Sequence, residues 1–409
     1  MSMLRKGLPL LVCLPLLSSC RMPEDPSRSA RTIVVWEQED AAVAPFIDSV
    51  FEEFRKLPGN EDLKIVRTHY HTEDLKQQFL TASIAGSPPD IIMSPSDSAG
   101  VYSVAGFILP LDGHFDLSVY NKPVMEAITL DGKSWGIPMS NGNHLMLFFN
   151  KKMSPKAPKT TDEMLRNCDR ITKAHKLDSC LAFNLAEPFW LMPWLGAYGG
   201  WPIDNKTPTL DTDAMRRAMG FVLELIDKKY APEECDYNCV DALFKEGKVA
   251  FIVNGDWALS GYQEHFGGDL GVARIPRHGV TGRWPTPMVS GKYILLSSKL
   301  EGEKLGLIKR LVEFYTDERN QIAQVEKLMR LPALTKAAEA SVIQGNPALR
   351  ASMSQIMVGK PMPMATEMSA VWGAMRTHLG RAVSRKASVD EAAMKMQKDA
   401  TDKIREMNE

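Results

Sequence analysis

An alternation of strand-like and helix-like segments early in the chain constrains the fold more than any other feature of the sequence. Apolar, β-rich runs alternate with amphipathic stretches of helical spacing, and the segments in order are Thr32–Trp36, Val43–Phe54, Leu63–Thr68, Glu73–Ile84 and Asp90–Met93. Strand, helix, strand, helix, strand predicts a parallel sheet with helices on both faces. The chain is therefore expected to be an α/β protein.

Polar residues follow two of these strands, where a parallel sheet places its ligand sites. Trp36–Asp40 comes directly after the first strand, and Ser94–Ser98 comes after the third. Ligands of open α/β sheets bind outside the carboxyl ends of the strands. The sequence thus predicts a binding site at these two segments. Asp40 and Asp97 also have a purely structural alternative, because aspartate is a favoured N-cap residue of helices.

The length and the charge of the chain narrow the architecture and the partners. At 409 residues the chain exceeds one typical hydrophobic core, which predicts two lobes of ordinary domain size. Its 44% hydrophobic and 24% charged residues are typical of a soluble globular protein. The formal net charge is −1 and no long basic run occurs, so no nucleic acid partner is expected.

The first residues have the pattern of an export signal. Arg5 and Lys6 precede an apolar run, Leu8–Leu17, that is too short to span a bilayer. The run ends in Leu17-Ser18-Ser19-Cys20, which resembles the bacterial lipobox, where the cysteine after the cleavage site receives a lipid. An ordinary signal peptide with a chance cysteine is the alternative.

We therefore expect residues 1–19 to be a lipoprotein signal peptide and Cys20 to carry a lipid anchor. Residues 20–31 then form a polar tether that contains Pro23 and Pro26. Several acyl chains hold a domain at a membrane far better than one chain does. The mature protein is predicted to be exported, and to lie in the periplasm or at the outer face of the cell membrane.

An even set of cysteines remains after the signal peptide, in a compartment that favours disulfides. Of the three ways to connect them, the one with the shortest loops pairs Cys168 with Cys180 and Cys235 with Cys239. A zinc site is the alternative, but no histidine has a suitable spacing and neither pair has a C-x₂-C step. The sequence predicts structural disulfides, no metal site and no cofactor.

Residues 183–201 combine three tryptophans with a single carboxylate, Glu187. A sugar binds such a surface, because its C–H face stacks on flat rings while its hydroxyls donate to a carboxylate. The alternative is a core helix, whose apolar stripe would comprise Trp190, Trp194, Tyr198 and Trp201. We expect most of the stripe to be core, Glu187 and Phe189 to meet a ligand, and Trp190 to belong to either set.

Four short fragments, taken in order, carry a resemblance to a known family. They are Pro89–Ile92, Phe183–Pro188, Asn254–Ala258 and Met368–Trp372. Together they resemble the family 1 extracellular solute-binding proteins of ATP-driven importers, and most closely those that bind maltose and maltodextrins. The likeness extends from Thr32 to about Ala400.

The resemblance implies a two-lobed periplasmic-binding-protein-like fold with a ligand cleft between the lobes. Each lobe would contain a mixed, mostly parallel sheet flanked by helices. The chain would cross between the lobes at three places, near Pro138–Asn143, Met288–Gly291 and Arg330–Lys336.

With three crossings, each lobe is discontinuous in sequence. The N-terminal lobe would comprise residues 32–140 and 291–332. The C-terminal lobe would comprise residues 141–290 and 333–409. Few crossing segments and a cleft between lobes make hinge closure around a trapped ligand the natural motion.

In the first lobe the resemblance implies ligand contacts for Asp40 and Asp97, and at the crossing it implies Asn143. The family's accompanying residues are largely replaced: its lysine, tryptophan and arginine fall at Ala41, Ser94 and Ser98. Its crossover glutamate falls at Asn143, with Gly142 as the alternative position. The polar set of the first lobe is therefore only partly kept.

In the second lobe the implied ligand residues are Glu187, Phe189, Trp190, Trp257 and Trp372. The aromatic character of this set is kept. It supports a carbohydrate ligand and leaves the identity of the sugar open.

The function implied is that of a binding lipoprotein and not of an enzyme. The protein would capture a disaccharide or oligosaccharide as a monomer and deliver it to the permease subunits of an ATP-driven importer. One alternative is a surface glycoside hydrolase, whose carboxylate pair would come from Glu37, Glu39, Asp40, Asp97 and Glu187. Another is the same fold with a non-sugar solute such as a polyamine, an amino acid or an anion, and the lack of an arginine clamp argues against the anion.

Overall fold

The computed structural model describes residues 29–409. The predicted signal peptide, the predicted lipid site at Cys20 and residues 20–28 of the predicted tether lie outside the described residues. Within residues 29–409, no helix combines the length and the apolar character that a membrane span requires.

Helices and strands alternate along most of the described chain. The strands are β1 Thr32–Glu37, β2 Lys64–His69, β3 Ile91–Ser94, β4 Thr129–Leu130, β5 Lys133–Ser134, β6 Ile137–Gly142, β7 Leu145–Asn150, β8 Leu181–Ala182, β9 Ile203–Asp204, β10 Thr207–Pro208, β11 Phe251–Gly255, β12 Leu270–Ala273, β13 Met288–Leu296 and β14 Lys360–Pro361. The α-helices are α1 Ala44–Arg55, α2 Thr72–Ile84, α3 Ala99–Val104, α4 Lys122–Glu126, α5 Thr161–His175, α6 Met192–Ala197, α7 Asp213–Asp227, α8 Tyr237–Lys245, α9 Leu259–Phe266, α10 Gly302–Tyr315, α11 Glu318–Leu328, α12 Thr335–Ala338, α13 Ser341–Gly345, α14 Pro347–Ile356, α15 Met368–Val383 and α16 Val389–Asn408.

The first sheet contains the strands predicted from the early alternation. Its order is β14-β13-β3-β1-β2, with β6 also paired to β13, and β1 is parallel to both β2 and β3. Helix α1 packs on it because Phe46, Ile47 and Phe54 recur on one face and share a core with Ile33 and Val35 of β1. The predicted α/β class is confirmed, and the ends of β1 and β3 lie at one edge of this sheet.

The second sheet corrects the prediction that each lobe has a mostly parallel sheet. Its order is β12-β7-β11-β8, and β7 is antiparallel to both β11 and β12, while only β8 and β11 are parallel. The reason lies in the direction of entry. Leu145, the first residue of β7, pairs with Gly255, the last residue of β11. Strand β7 therefore begins where β11 ends, and the two strands run in opposite directions.

Three chain segments run side by side between the two sheets. The end of β6 pairs with the start of β13 through Gly142 and Ser290, and Asn141 forms an antiparallel bridge with Leu331. These segments lie at the three places where the resemblance implies crossings. They support the lobe boundaries given above, which we retain as a proposal.

Two disulfide bonds lie in the second lobe. Cys168 of α5 is bonded to Cys180, which precedes β8, and Cys235 is bonded to Cys239 of α8. These are the pairs with the shortest loops. Both Cys168 and Cys180 are fully buried in the core of the lobe.

Replacing Cys168 and Cys180 together by serine is expected to lower the free energy of unfolding by about 3 kcal/mol, because the bond closes a loop of sequence separation 12 in the unfolded chain. Urea denaturation of the mature domain at pH 7, under non-reducing conditions, measures the difference. A variant as stable as the parent would show that the bond restrains little in the unfolded state.

Candidate functional site

A cleft of about 650 Å³ opens between the two sheets, and every predicted ligand residue lines it. The set comprises Asp40, Asp97, Asn143, Glu187, Phe189, Trp190, Trp257 and Trp372. Four of them lie just after a strand: Asp40 follows β1, Asp97 follows β3, Asn143 follows β6 and Trp257 follows β11. The structure therefore brings together residues that are scattered over most of the sequence.

The aromatic residues form a cluster on the second-lobe side. The Trp257 ring lies 6.1 Å from the Trp190 ring and 6.2 Å from the Phe189 ring, measured between centroids. Trp190 is nearly buried, and its Nε1–H donates to the Val253 carbonyl at 3.0 Å, which fixes its position. Phe189, Trp257 and Trp372 are only partly buried and pack against the core of the lobe. The cluster is thus an apolar surface on a rigid support.

The helix in the aromatic segment, α6, is shorter than the predicted apolar stripe from Trp190 to Trp201. Helix α6 ends at Ala197, because Gly199 has a φ of 84° and carries the chain out of the helix. Trp194 is fully buried, in agreement with a core role. Tyr198 and Trp201 lie beyond the helix, so the prediction that they continue one helical face is wrong.

Asp40 belongs to a hydrogen-bonded chain that joins both sides of the cleft. Tyr237 donates its hydroxyl proton to Asp40 Oδ2 at 3.1 Å, and Trp257 Nε1–H donates to the Tyr237 oxygen at 3.2 Å. Burial raises the pKa of Asp40 above its ordinary value, and it also raises the pKa of Tyr237. Sequence analysis missed Tyr237, which no local pattern distinguishes from other helical tyrosines.

A second carboxylate beside Asp40 is held in a buried ion cluster. Glu39 Oε2 lies 2.6 Å from an Arg330 guanidinium nitrogen, and Glu39 Oε1 lies 4.0 Å from Lys292 Nζ. Burial alone would raise the pKa of Glu39, but the attraction of Arg330 and Lys292 outweighs it and lowers the pKa below the usual value. The cluster lies at the point where β1, β13 and the segment after α11 meet.

An ion-pair chain runs along the lining of the cleft. Lys76 Nζ binds Asp97 Oδ2 at 2.9 Å and Glu73 Oε1 at 3.1 Å, and Arg376 lies 3.4 Å from the same Glu73 oxygen. Arg376 also donates to Glu187 Oε2 at 2.8 Å. Burial lowers the pKa of Lys76, but the two carboxylates outweigh it and leave the pKa above its ordinary value. The predicted residues Asp97 and Glu187 are therefore the two ends of one network.

Neither aspartate acts as the helix cap that the sequence left open as an alternative. Pro95 and Ser98 occupy the N-cap positions around Asp97, and Val43 occupies that of α1. The Oδ1 atom of Asp97 is buried and has no hydrogen-bond partner within residues 29–409. Asp97 as a residue nevertheless lines the cleft, and its Oδ2 atom is the one that Lys76 binds.

Asn143 lies at the crossing, in the left-handed region with a φ of 45°. Its neighbours are fixed by Asp256, whose Oδ1 accepts from the His144 amide at 3.1 Å and whose own amide donates to the His144 carbonyl at 3.0 Å. Gly142 is required there, because a Cβ atom would overlap the Asp256 carboxylate. The Asn143 amide is thus presented by a well-defined turn.

The cleft contains more cations than the sequence analysis expected. Its charged lining residues are Glu39, Asp40, Glu73, Asp74, Asp97, Glu187, Lys76, Lys292, Arg330 and Arg376. The statement that an arginine clamp is lacking is wrong, because two arginines line the site. Each of the two arginines is already paired with a carboxylate, so neither provides a free positive charge for an anion. Neutral polyols suit a surface with donors, acceptors and rings side by side.

Comparison with known proteins agrees with this geometry. Residues 49–351 match the family model described as bacterial extracellular solute-binding protein. The chain is 25% identical over 352 residues to the maltotriose-binding protein of Pyrococcus abyssi, covering 84% of this chain and 76% of that protein. It is 26% identical over 422 residues to the maltodextrin-binding protein MdxE of Bacillus subtilis, covering 99% and 98%.

Solved structures give the same result for the fold. The maltose/maltodextrin-binding domain from Bdellovibrio bacteriovorus, bound to maltotriose, matches with a TM-score of 0.85 and 32% identity, over 91% of this chain and 100% of that one. The GacH receptor of Streptomyces glaucescens matches with a TM-score of 0.83 and 24% identity, over 91% and 98%. The two-lobed fold predicted from the sequence is confirmed.

Proposed function

The chain belongs to the bacterial extracellular solute-binding protein family, and from this premise we propose that it captures a disaccharide or oligosaccharide of the maltodextrin type. The observation that carries the proposal is the cleft itself, in which an aromatic cluster faces an array of carboxylates and amides. Its volume falls within the range of about 300–1,000 Å³ that is usual for small-ligand sites.

The cleft offers the sugar two kinds of contact, aromatic rings and polar side chains. Phe189, Trp190, Trp257 and Trp372 offer rings to the C–H faces of the sugar. Asp40, Asp97 and Glu187 accept from hydroxyl groups, and Asn143 both donates and accepts. Relatives whose names specify maltotriose or maltodextrin support this assignment.

We further propose that the loaded protein delivers its sugar to the permease subunits of an ATP-driven importer. Closure of the two lobes traps the ligand, and the closed form is what the membrane subunits recognise. A lipid at Cys20 and the tether 20–31 would hold the monomeric domain near those subunits. Streptococcal relatives named as solute-binding lipoproteins support the anchor.

The ion pairs favour binding over hydrolysis. Among the carboxylates considered for catalysis, Glu37 pairs with Arg67, Glu39 with Arg330, Asp97 with Lys76 and Glu187 with Arg376. A glycoside hydrolase needs one carboxylic acid that stays protonated beside a second carboxylate that is free to act on the substrate. Four of the five carboxylates are thus ion-paired with a cation, which suits a fixed hydrogen-bonding site.

Thermal denaturation with a panel of sugars tests the proposal. Maltotriose at about 100 times its dissociation constant should stabilise the folded state by about 2.7 kcal/mol, which raises Tm by about 3 °C for a chain of this size. Lactose, spermidine and phosphate serve as comparison ligands. A shift with spermidine or phosphate and none with any sugar would replace the sugar by a non-sugar solute, and release of glucose from maltotriose would replace binding by hydrolysis.

A further inference from the structure

Tyr237 is a hydrogen-bonded link between the two sides of the cleft. Its hydroxyl donates to Asp40 and accepts from Trp257, and its ring lies 6.4 Å from that of Trp190. Asp40 comes from the end of the first sheet, whereas Trp190 and Trp257 belong to the aromatic cluster. The position of one hydroxyl group therefore sets how an acceptor and a stacking ring face a ligand together.

The backbone that carries Tyr237 has little regular structure to hold it. Tyr237 is the first residue of α8, and residues 228–236 before it contain neither helix nor strand. The first amides of a helix lack acceptors within the helix, so this end is where helices fray. Asp236 caps one of them, because its Oδ1 accepts from the Cys239 amide at 2.8 Å.

The Cys235–Cys239 disulfide spans the N-terminal end of α8, where Tyr237 lies. It closes a ring with Tyr237 at its centre, and Cys235 is buried in a cluster with Val240 and Phe244. The bond therefore ties the residue before the cap to the first turn of α8 and anchors both in the core. We propose that this disulfide is a positioning element of the ligand site, which holds the Tyr237 hydroxyl between Asp40 and Trp257 and so makes ligand affinity depend on the bond. The inference rests on the function proposed above.

The second disulfide provides a matched control. Cys168 and Cys180 lie in the core of the same lobe, and neither lines the cleft. Their bond closes the longer loop, with a sequence separation of 12 against 4, so its removal should cost more global stability. Stability and ligand affinity should therefore change in opposite order in the two double variants.

Titration calorimetry with maltotriose compares the parent, C235S/C239S, C168S/C180S and Y237F. We expect C235S/C239S and Y237F each to weaken binding about tenfold, as the loss of a buried hydrogen-bonding network does. C168S/C180S should have the lower Tm of the two disulfide variants and the affinity of the parent. Adding Y237F to C235S/C239S should cause little further loss, because both changes remove the same positioned hydroxyl.

Hydrogen exchange without ligand gives an independent measurement. The amides of residues 237–240 should exchange faster in C235S/C239S than in the parent or in C168S/C180S. Unchanged exchange there, or losses of affinity that add between Y237F and C235S/C239S, would overturn the positioning role. A parent that binds no sugar would instead overturn the proposed function, and the exchange experiment would still decide whether the disulfide holds Tyr237.

Discussion

Replacing Trp257 by alanine is expected to weaken binding of maltotriose by about 30-fold or more, the loss of about 2 kcal/mol that is typical of a central aromatic contact. Trp257 lies between Phe189 and Tyr237 and is partly exposed to the cleft. The change removes a ring surface for the sugar and also the N–H group that holds the Tyr237 oxygen. Titration calorimetry at constant salt and pH measures the effect.

Two further variants separate these contributions. Trp257→Phe keeps one aromatic ring but removes the donor to Tyr237 and part of the ring surface, so its affinity should fall between those of the parent and the alanine variant. Trp201→Ala is the matched control, because Trp201 is also partly buried in the second lobe but lies outside the cleft lining. Equal losses in the Trp201 and Trp257 alanine variants would show that the effect comes from the stability of the lobe and not from a sugar contact.

Part of the predicted site has a local origin in the sequence. Asp40 and Asp97 each come directly after a strand, and the strand ends of an α/β sheet meet at a known edge. Glu187 and Phe189 precede a recognisable aromatic segment. Local pattern predicted a site near Asp40, Asp97, Glu187 and Phe189, whereas Asn143, Trp257 and Trp372 came only from the family resemblance, and all of them line the cleft.

The residues that sequence analysis missed are those whose role depends on a distant partner. Lys76 and Arg376 lie within helices, where a charged residue usually means only a solvated face. Lys292 and Arg330 did offer a signal. Each is a single charge in an apolar stretch, and a buried charge requires a counter-ion. The identity of that counter-ion, Glu39, follows only from the way β1 and β13 share one sheet.

The direction of strands was the least predictable feature of the fold. The early alternation of strand and helix determined a parallel arrangement for β1, β2 and β3. In the second sheet, β7 has the composition of a buried strand, and such a run is compatible with either direction. Its direction is set by the crossing at Gly142–Asn143, which is a property of the two-lobed architecture.

Replacing Arg330 by methionine is expected to lower the free energy of unfolding by about 3–5 kcal/mol, because it leaves the buried Glu39 carboxylate without its closest counter-ion. Both side chains are almost fully buried, with exposed fractions of 3% and 1%, so the pair is largely shielded from water. Lys292 stays 4.0 Å away and compensates only in part. Urea denaturation at pH 7 measures the loss, and the double variant R330M/E39Q should recover part of it because the unpaired charge is gone.

The pH dependence of the loss identifies its cause. In the parent the pKa of Glu39 lies below its ordinary value of about 4.3. The ion pair therefore stabilises the fold at pH values above about 4.3. This contribution is lost as the pH falls through the lowered pKa of Glu39. Without Arg330, burial dominates and raises the pKa of Glu39 above that of the unfolded chain. The folded variant then binds the proton more tightly than the unfolded chain does, so its deficit against the parent should narrow as the pH falls from about 7 to about 4. A deficit that is constant over this range, or that persists unchanged in R330M/E39Q, would mean that Arg330 stabilises the crossing by packing and not by its charge.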